Sequence, residues 1–417
     1  MRILVIGSGG REHAIVWKLA QSEKTEKIFC IPGNGGIEQL AQCIPGDIED
    51  IEYLVNFAKE NNIDFTMVGP ELPLTLGIVD AFQKEGLKIF GPTKEAAQLE
   101  GSKAFSKAFM EKHDIPTAKY VDCKDKQQAL LALKNFSYPL VIKADGLAAG
   151  KGVIIAQEEK EARECISEMM IDGVFGEAGK RIIIEEFLEG REISLLVFLD
   201  SKSFVPMITA QDYKRALDKD QGLNTGGMGA ISPSPIYNEE LHQKVLEEII
   251  KPTFKGIKND NLEYRGVLYF GLMITKEGPK VLEYNVRFGD PETQVILPRL
   301  DSDLVDIFLD VIEDRLDQDS LRWKKDKAVT IVLTSGGYPQ SYEKGKLIKG
   351  LEKEEGAIVF HSGTLQKEDL YYTNGGRVLT VTALGSSLEE AAARAYKEIL
   401  NISFDGMHFR KDIGSDS

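Results

Sequence analysis

The stretch Val281-Leu-Glu283-Tyr-Asn285-Val-Arg287-Phe-Gly289-Asp290-Pro291-Glu292-Thr293 combines a strand pattern with an unusual set of polar side chains. A strand places residues i, i+2 and i+4 on one face, so Glu283, Asn285 and Arg287 are predicted to project side by side. Carboxylate and amide oxygens suit Mg²⁺, which is usually also coordinated by substrate phosphates. Arginine suits a phosphate or a developing oxyanion. The face predicts a magnesium–nucleotide site; the alternative is an antiparallel strand with an ordinary solvated polar face.

The composition indicates a globular protein with more than one domain. A chain of 417 residues is longer than a single hydrophobic core normally supports. Its contents of 42% hydrophobic and 28% charged residues are ordinary for a globular protein. The net charge of −15 argues against broad binding to nucleic acid or to an anionic membrane. No apolar run approaches the length of a signal sequence or a membrane span. The cysteines lack a zinc-binding spacing. We therefore expect a cytoplasmic protein with reduced thiols and without nucleic-acid or membrane partners. We also expect a monomer or a weak dimer.

Three blocks follow one another along the chain. Residues 1–102 alternate short apolar runs with helical segments, which predicts a doubly wound parallel sheet. Residues 103–325 begin with a helix and continue as an α+β unit, with a lid subdomain at about 119–190. Residues 326–417 form a small α+β domain. It closes with an Ala-rich helix over 388–400, for which Ser386 or Ser387 is a suitable N-cap.

The first glycine cluster, Gly7-Ser-Gly9-Gly10-Arg11-Glu12, follows a strand and opens a helix. Glu12 stands where a dinucleotide-binding fingerprint needs glycine for close helix packing, which argues against NAD(P). The turn still offers backbone amides at a helix N-terminus, which can bind a single phosphate. The alternative is a tight turn that binds nothing.

The second glycine cluster runs from Lys143 to Val153. It is not a P-loop, because Lys151 is followed by Gly152 where serine or threonine should ligate Mg²⁺. The pattern favours a β-hairpin whose small-residue tip folds over a triphosphate while Lys143 meets the phosphates from beneath. The alternative is a hairpin without a ligand.

A third segment, 182–192, is an apolar strand that turns abruptly acidic. Such a strand end suits an adenine amino group and ribose hydroxyls. A solvated acidic strand end is the alternative.

These segments together resemble the ATP-grasp superfamily and, within it, the glycinamide ribonucleotide synthetase (phosphoribosylamine–glycine ligase) family. The matching motifs span essentially the whole chain, and the last of them is the most specific. They are Gly7-Ser-Gly-Gly-Arg-Glu-His-Ala14, Pro32-Gly-Asn34, Gly69-Pro-Glu71, Lys143-Ala-Asp-Gly-Leu-Ala-Ala-Gly-Lys-Gly152, Gln211-Asp-Tyr-Lys-Arg215, Asn224-Thr-Gly-Gly-Met-Gly229 and Arg287-Phe-Gly-Asp-Pro-Glu-Thr293.

The resemblance implies a central ATP-grasp fold and a stand-alone ligase. The implied reaction joins glycine to 5-phosphoribosylamine through glycyl phosphate, giving glycinamide ribonucleotide, ADP and phosphate in de novo purine biosynthesis. The implied cofactors are ATP and Mg²⁺, or Mn²⁺ in its place.

The resemblance also implies roles for individual residues. The metal ligands are Glu283 and Asn285, and the catalytic residues are Arg287, Asp212 and Lys143. The cofactor-binding residues are Lys103, Lys143, Gly146, Gly150, Lys151, Gly152, Glu185, Glu186, Leu188 and Glu192. The substrate-binding residues are Gly9, Gly10, Asn34, Glu71, Asp212, Gly229 and Arg287.

One departure concerns the metal. Many ATP-grasp enzymes carry another acid on the strand before the metal-binding strand, and the segment 266–272 has none. Which residue would complete the coordination of a second Mg²⁺ is therefore open.

Two other functions stay under consideration: a different ATP-grasp ligase, which would turn over without glycine, and an inactive nucleotide sensor. The presence of Glu283, Asn285 and Lys143 disfavours the sensor.

Overall fold

The structure is a computed structural model that describes residues 1–147, 152–353 and 356–415. Two of the residues predicted to bind the cofactor, Gly150 and Lys151, lie outside the described residues. Within the described ranges, no helix is both long enough and apolar enough to cross a lipid bilayer.

The N-terminal block is the predicted doubly wound parallel sheet, with strand order β5-β4-β1-β2-β3. Its strands are β1 (Arg2–Gly7), β2 (Lys27–Pro32), β3 (Gln42–Cys43), β4 (Phe65–Val68) and β5 (Ile89–Pro92). Its helices are α1 (Gly10–Leu19), α2 (Ile51–Glu60), α3 (Glu71–Leu76) and α4 (Ile78–Lys84). Leu4 and Ile6 share a core with α2 and α4, whereas Ile3 and Val5 share a core with α1. Both faces of β1 are covered, which explains its continuous apolar run.

The next segment forms a small antiparallel sheet with strand order β6-β9-β7-β8. Two helices, α5 (Gln98–Gly101) and α6 (Lys103–Lys112), lead into it. Its elements are β6 (Tyr120–Cys123), α7 (Lys126–Ala132), β7 (Leu140–Ala144), β8 (Val153–Ala156), α8 (Glu159–Met170) and β9 (Ile182–Glu186). The sheet and its two helices enclose a separate core. These elements fall inside the range predicted for the lid subdomain.

Four further strands of the central block extend the N-terminal sheet. They are β10 (Arg191–Leu199), β11 (Phe204–Pro206), β16 (Tyr264–Thr275) and β17 (Gly278–Asn285). The first residues of β16 pair with β5, through Tyr264 with Pro92 and Arg265 with Gly91. One nine-stranded sheet therefore runs from the N-terminal block into the central block.

Between β11 and β16 lie β12 (Gln211–Asp212), β13 (Arg215–Leu217), β14 (Gln221–Asn224), β15 (Gly229–Ser232), α9 (Glu239–Val245) and α10 (Lys251–Asn259). After β17 come α11 (Thr293–Ile296) and α12 (Leu304–Ile312).

The C-terminal block contains β18 (Lys327–Thr334), β19 (Leu347–Ile348), β20 (Ile358–His361), β21 (Thr364–Lys367), β22 (Leu370–Thr373), β23 (Arg377–Gly385) and α13 (Leu388–Ile399). Ser387 caps α13 by accepting a hydrogen bond from the Glu390 amide, which confirms one of the two predicted caps. The main sheet of this block has the order β12-β15-β18-β23-β20. Because β12 and β15 come from the central block, the C-terminal block is hydrogen-bonded to the segment that carries Asp212.

Candidate active site

The polar face predicted from the sequence lies at the end of β17. Glu283 pairs with Gly271 of β16 and Asn285 pairs with Tyr269. Arg287 follows the strand, and its Nη2 donates to Asn285 Oδ1 at 3.1 Å. The register shifts beside Leu282, and Lys143 Nζ donates to the Leu282 carbonyl at 3.3 Å. This β-bulge presents the Leu282 carbonyl to Lys143 of β7, so the lysine lies next to the polar face.

Positive charge surrounds Glu283. Burial alone would raise the pKa of this carboxyl group, but Lys214, Lys143, Lys103 and Arg287 outweigh burial and lower it. Glu283 is therefore ionised at neutral pH and available to a cation.

The lysines have partners of their own. Burial lowers the pKa of Lys103, with Glu283 opposing the shift, and Lys103 Nζ donates to the Gly146 carbonyl at 3.0 Å. Lys214 forms a salt bridge with Glu192. Lys103 and Glu192, both predicted to bind the nucleotide, thus lie near Glu283, the second of them through its ion pair with Lys214.

Glu185 is the counterion of two buried lysines. Its Oε2 lies 3.0 Å from Lys143 Nζ and 3.1 Å from Lys107 Nζ. Burial lowers the pKa of Lys107 to about 8, and Glu185 opposes the shift. The other oxygen, Glu185 Oε1, is buried without a hydrogen-bond partner. Glu185 is predicted to contact adenine or ribose. One of its carboxylate oxygens is therefore engaged by two lysines, and the other has no hydrogen-bond partner.

The remaining predicted nucleotide contacts lie around the same hairpin and strand end. Glu186 Oε1 accepts from the Lys119 amide at 3.0 Å, and Leu188 is buried. The Gly152 carbonyl accepts from the Ala144 amide at 2.9 Å, and Gly146 adopts φ +145°, which favours glycine.

Arg287 is held by two carboxylates from other elements. Its Nε donates to Glu71 Oε2 at 3.2 Å and its Nη2 to Glu100 Oε1 at 2.9 Å. Burial would raise the pKa of Glu71, but Arg287 and Arg11 lower it. Sequence reasoning missed Glu100, whose pKa burial raises to about 7 and whose Oε2 accepts from the Val286 amide at 2.7 Å. No local pattern marks this residue, because its partners lie nearly two hundred positions away along the chain.

The predicted phosphoribosyl site shows less free hydrogen-bonding capacity than expected. The Gly9 amide donates to Glu12 Oε2 at 2.5 Å. Asn34 Nδ2 donates to the carbonyls of Ser8 and His361, both at 2.8 Å. Its Oδ1 accepts from the amides of residues 36 and 37. All four hydrogen bonds of this amide group are used, so its side chain positions the turn after β1.

Two predicted glycines lie close to the C-terminal block. A Cβ atom at Gly10 would lie 2.5 Å from Ser362 Oγ and 2.7 Å from Gln294 Nε2. A Cβ atom at Gly229 would lie 2.6 Å from the Thr330 carbonyl oxygen, so this glycine permits close pairing of β15 with β18.

Asp212 lies at the end of β12 with its Oδ1 buried and without a hydrogen-bond partner. Burial and the neighbouring Glu292 raise its pKa well above the usual range. Glu292 Oε1 accepts from Ser194 Oγ at 2.8 Å, and that hydroxyl lies 2.9 Å from the Tyr269 hydroxyl. Sequence reasoning included Glu292 in a motif but gave it no role. A buried acidic pair of this kind can accept a proton or a cationic amine.

A pair of buried histidines joins α1 to β20. The His361 amide donates to His13 Nδ1 at 2.8 Å, and the two rings lie 5.7 Å apart. Burial, with His361 nearby, lowers the pKa of His13 to about 3, and burial lowers the pKa of His361 to about 4. Both side chains are therefore neutral in the folded protein at pH 7.

We expect these histidines to make the protein acid-sensitive. Their folded-state pKa values lie below the unfolded value, so unfolding takes up protons between about pH 6.5 and the folded pKa values. The stability that the two neutral histidines contribute is complete above about pH 6.5 and is lost as the pH falls towards their folded pKa values of about 4 and 3. Each histidine should cost about 2 kcal/mol of unfolding free energy at pH 5 relative to pH 7. Urea titrations at both pH values measure this, and His13→Gln should flatten the dependence while the half-buried His242→Gln keeps it. Equal pH dependence in all three proteins would contradict the assignment.

The donor set at Glu283 and Asn285 fits a hard divalent cation that shares its coordination with a ligand. Across the described part of the chain, no group of three or more His, Cys, Asp or Glu side chains could enclose a metal ion. A cation held by one carboxylate and one amide oxygen would therefore take its other ligands from phosphate oxygens and water.

The whole chain matches one family of proteins. Models of phosphoribosylglycinamide synthetase match residues 1–100 (N domain), 101–293 (ATP-grasp domain) and 328–416 (C domain). The phosphoribosylamine–glycine ligase of Vibrio parahaemolyticus is 52% identical over 419 residues, covering 99% of this chain and 98% of that protein. A crystal structure of the ligase of that name from Thermotoga maritima superposes with a TM-score of 0.87 at 35% identity, covering 99% and 100% of the two chains. The biotin carboxylase domain of a Hydrogenobacter thermophilus 2-oxoglutarate carboxylase shares the fold, with a TM-score of 0.77, 17% identity and coverage of 98% and 91%.

Proposed function

The chain belongs to the phosphoribosylglycinamide synthetase family, and from this premise we propose that it joins glycine to 5-phosphoribosylamine at the expense of ATP. The products are glycinamide ribonucleotide, ADP and phosphate. The family predicted from the motifs is the one that the comparisons find. The observation that carries the proposal is the ionised Glu283 beside Asn285, enclosed by Lys103, Lys143 and Lys214. This arrangement suits a polyphosphate with a divalent cation.

The first step of the reaction is the activation of glycine. A carboxylate resists attack by an amine, so it must first become an acyl phosphate by attacking the γ-phosphate of ATP. Lys143 and Lys103 neutralise the charge of the polyphosphate during this transfer. Glu283 and Asn285 would hold Mg²⁺ or Mn²⁺, which supplies further charge neutralisation at the phosphates.

The second step is attack of the phosphoribosylamine nitrogen on glycyl phosphate. Arg287 is fixed by Glu71 and Glu100 on the same face as Asn285. From there its guanidinium stabilises the tetrahedral oxyanion. Asp212, paired with Glu292, accepts a proton from an amine or binds an ammonium group, since its Oδ1 lacks a partner. Phosphate then leaves as the amide forms.

Contacts to the two nucleotide-like substrates complete the proposal. Glu185 Oε1, Glu186, Leu188 and Glu192 surround adenine and ribose. The amide of Gly10 and the turn positioned by Asn34 meet the phosphoribosyl group, with Glu71 nearby. We extend the proposal to a protein that is a monomer or a weak dimer. Free cysteines at Cys30, Cys43, Cys123 and Cys165 are consistent with the cytoplasm.

The proposal is tested by ADP release with each substrate omitted in turn. We expect rapid ADP formation only when glycine and phosphoribosylamine are both present, because glycine forms the acyl phosphate and the amine of phosphoribosylamine consumes it. Bicarbonate is the control, since other ligases of this fold carboxylate their substrates. Equal turnover with bicarbonate in place of glycine would reject the assignment.

A further inference from the structure

Two turns meet beside Asp212. The first comprises residues 225–228 and the second residues 289–291; together they are called the paired turns. A Cβ atom at Gly227 would overlap Pro291 Cδ and would lie 2.9 Å from Asp212 Oδ1. Gly227 also adopts φ +108°, which disfavours a side chain. Gly227, the Pro291 ring and the unpartnered oxygen of Asp212 thus pack against one another, with no room for a side chain at position 227.

The first turn is tied to the strand that carries the acidic group. Thr225 Oγ1 donates to the Lys214 carbonyl at 2.9 Å and accepts from the Gly227 amide at 3.0 Å. The Met228 amide donates to the Tyr213 carbonyl at 2.8 Å. Any movement of this turn therefore changes the packing against Asp212.

The C-terminal block holds the paired turns together. Arg377 Nη1 donates to the Gly226 carbonyl and, at 3.0 Å, to the Asp290 carbonyl. Its Nη2 lies 3.3 Å from Asp290 Oδ2. The Gly226 amide donates to the Tyr338 hydroxyl at 3.0 Å. The guanidinium lies so close to Gly226 that a Cβ atom there would be 3.2 Å from Arg377 Cζ. One arginine, assisted by one tyrosine, fixes the separation of two turns that are otherwise distant in sequence.

We propose that Arg377 is a positioning residue for the glycine site and that Gly227 determines its specificity. Arg377 keeps the paired turns closed, so that Gly227 and Pro291 form one wall against Asp212, and this wall admits glycine but excludes any amino acid with a side chain. This inference rests on the proposed function, which supplies glycine as the substrate. In this arrangement the C-terminal block fixes the position of the wall beside Asp212.

Arg377→Gln tests the positioning role. We expect the KM for glycine to rise about tenfold and the preference for glycine over alanine in kcat/KM to fall about tenfold, because a loosened wall no longer rejects one methyl group. The KM for ATP should change less than about twofold, since the lysines around Glu283 are untouched. Arg377→Lys should be intermediate, because a lysine keeps the charge but not the forked geometry. The matched control is Arg394→Gln, which removes an exposed arginine of the same block.

Tyr338→Phe removes a single hydroxyl and leaves the charge network intact, so it tests the inference in a protein with its packing preserved. We expect a fall in glycine preference of about fivefold, the effect of one hydrogen bond. The inference is overturned if both variants keep the wild-type glycine KM and selectivity, or if the KM for ATP rises in parallel. If the wild-type protein itself forms ADP without glycine, the proposed function fails instead.

Discussion

Glu283→Gln should lower turnover by about a hundredfold or more, the scale of removing one preorganised charge-stabilising group. The substitution preserves shape but removes the negative charge from the polar face of β17. Three lysines and Arg287 would then face each other without this counter-charge. We therefore expect a lower apparent affinity for Mg²⁺ in ADP-release assays, while binding of metal-free ADP persists or tightens because the local charge becomes more positive.

The control for this variant lies on the same hairpin. Glu277 precedes β17 and its side chain is 79% exposed, so Glu277→Gln should retain nearly full activity. Titration of Mg²⁺ with both variants separates loss of the cation from loss of folding. Near-normal activity of Glu283→Gln at limiting Mg²⁺ would show that this carboxylate does not hold the metal.

Glu185→Gln should strongly destabilise the fold. It leaves Lys107 and Lys143 buried next to each other without their shared counterion. Breaking a buried ion pair by removing one partner typically costs about 3–5 kcal/mol. The unfolding free energy should fall by this order, measured by urea titration at pH 7. The loss should shrink as the pH rises above 8, because a lysine with a lowered pKa can then lose its proton.

Two comparisons isolate the charge effect. The neighbouring Glu186→Gln should change the unfolding free energy by less than about 0.5 kcal/mol, because Glu186 is only half-buried. The double variant with Glu185→Gln and Lys107→Met should be more stable than Glu185→Gln alone, since one unpaired charge remains instead of two. If the single and double variants are equally stable, the two lysines do not depend on this carboxylate.

The features that sequence reasoning predicted are those encoded within one element. The period of two along β17 placed Glu283, Asn285 and Arg287 on one face, and the structure has Asn285 and Arg287 in contact. The apolar runs of the first block predicted its parallel sheet correctly. Local patterns are informative here because neighbours within a strand are fixed by backbone geometry.

The features that were missed depend on contacts between distant segments. Glu100 meets Arg287 across 187 positions, and Arg377 meets Asp290 across 87 positions. Neither pairing leaves a periodic trace in the sequence. Asn34 and Glu185 were predicted as binding residues, and their hydrogen bonds and ion pairs show which of their atoms are already engaged. Sequence spacing can suggest a residue type for a role, whereas the atoms left free to bind a ligand become visible only after folding.

The pairing of β5 with β16 has a kinetic consequence. The strands β1 and β17 belong to one hydrogen-bonded sheet, so we expect the proposed phosphoribosyl end and the proposed metal end of the site to keep a fixed separation. The sheet β6-β9-β7-β8 is separate in the described part of the chain. We therefore expect nucleotide exchange to proceed by movement of this small sheet against the larger one. We expect ADP to depart while the proposed phosphoribosyl end of the site stays in place, because that end does not lie on the small sheet.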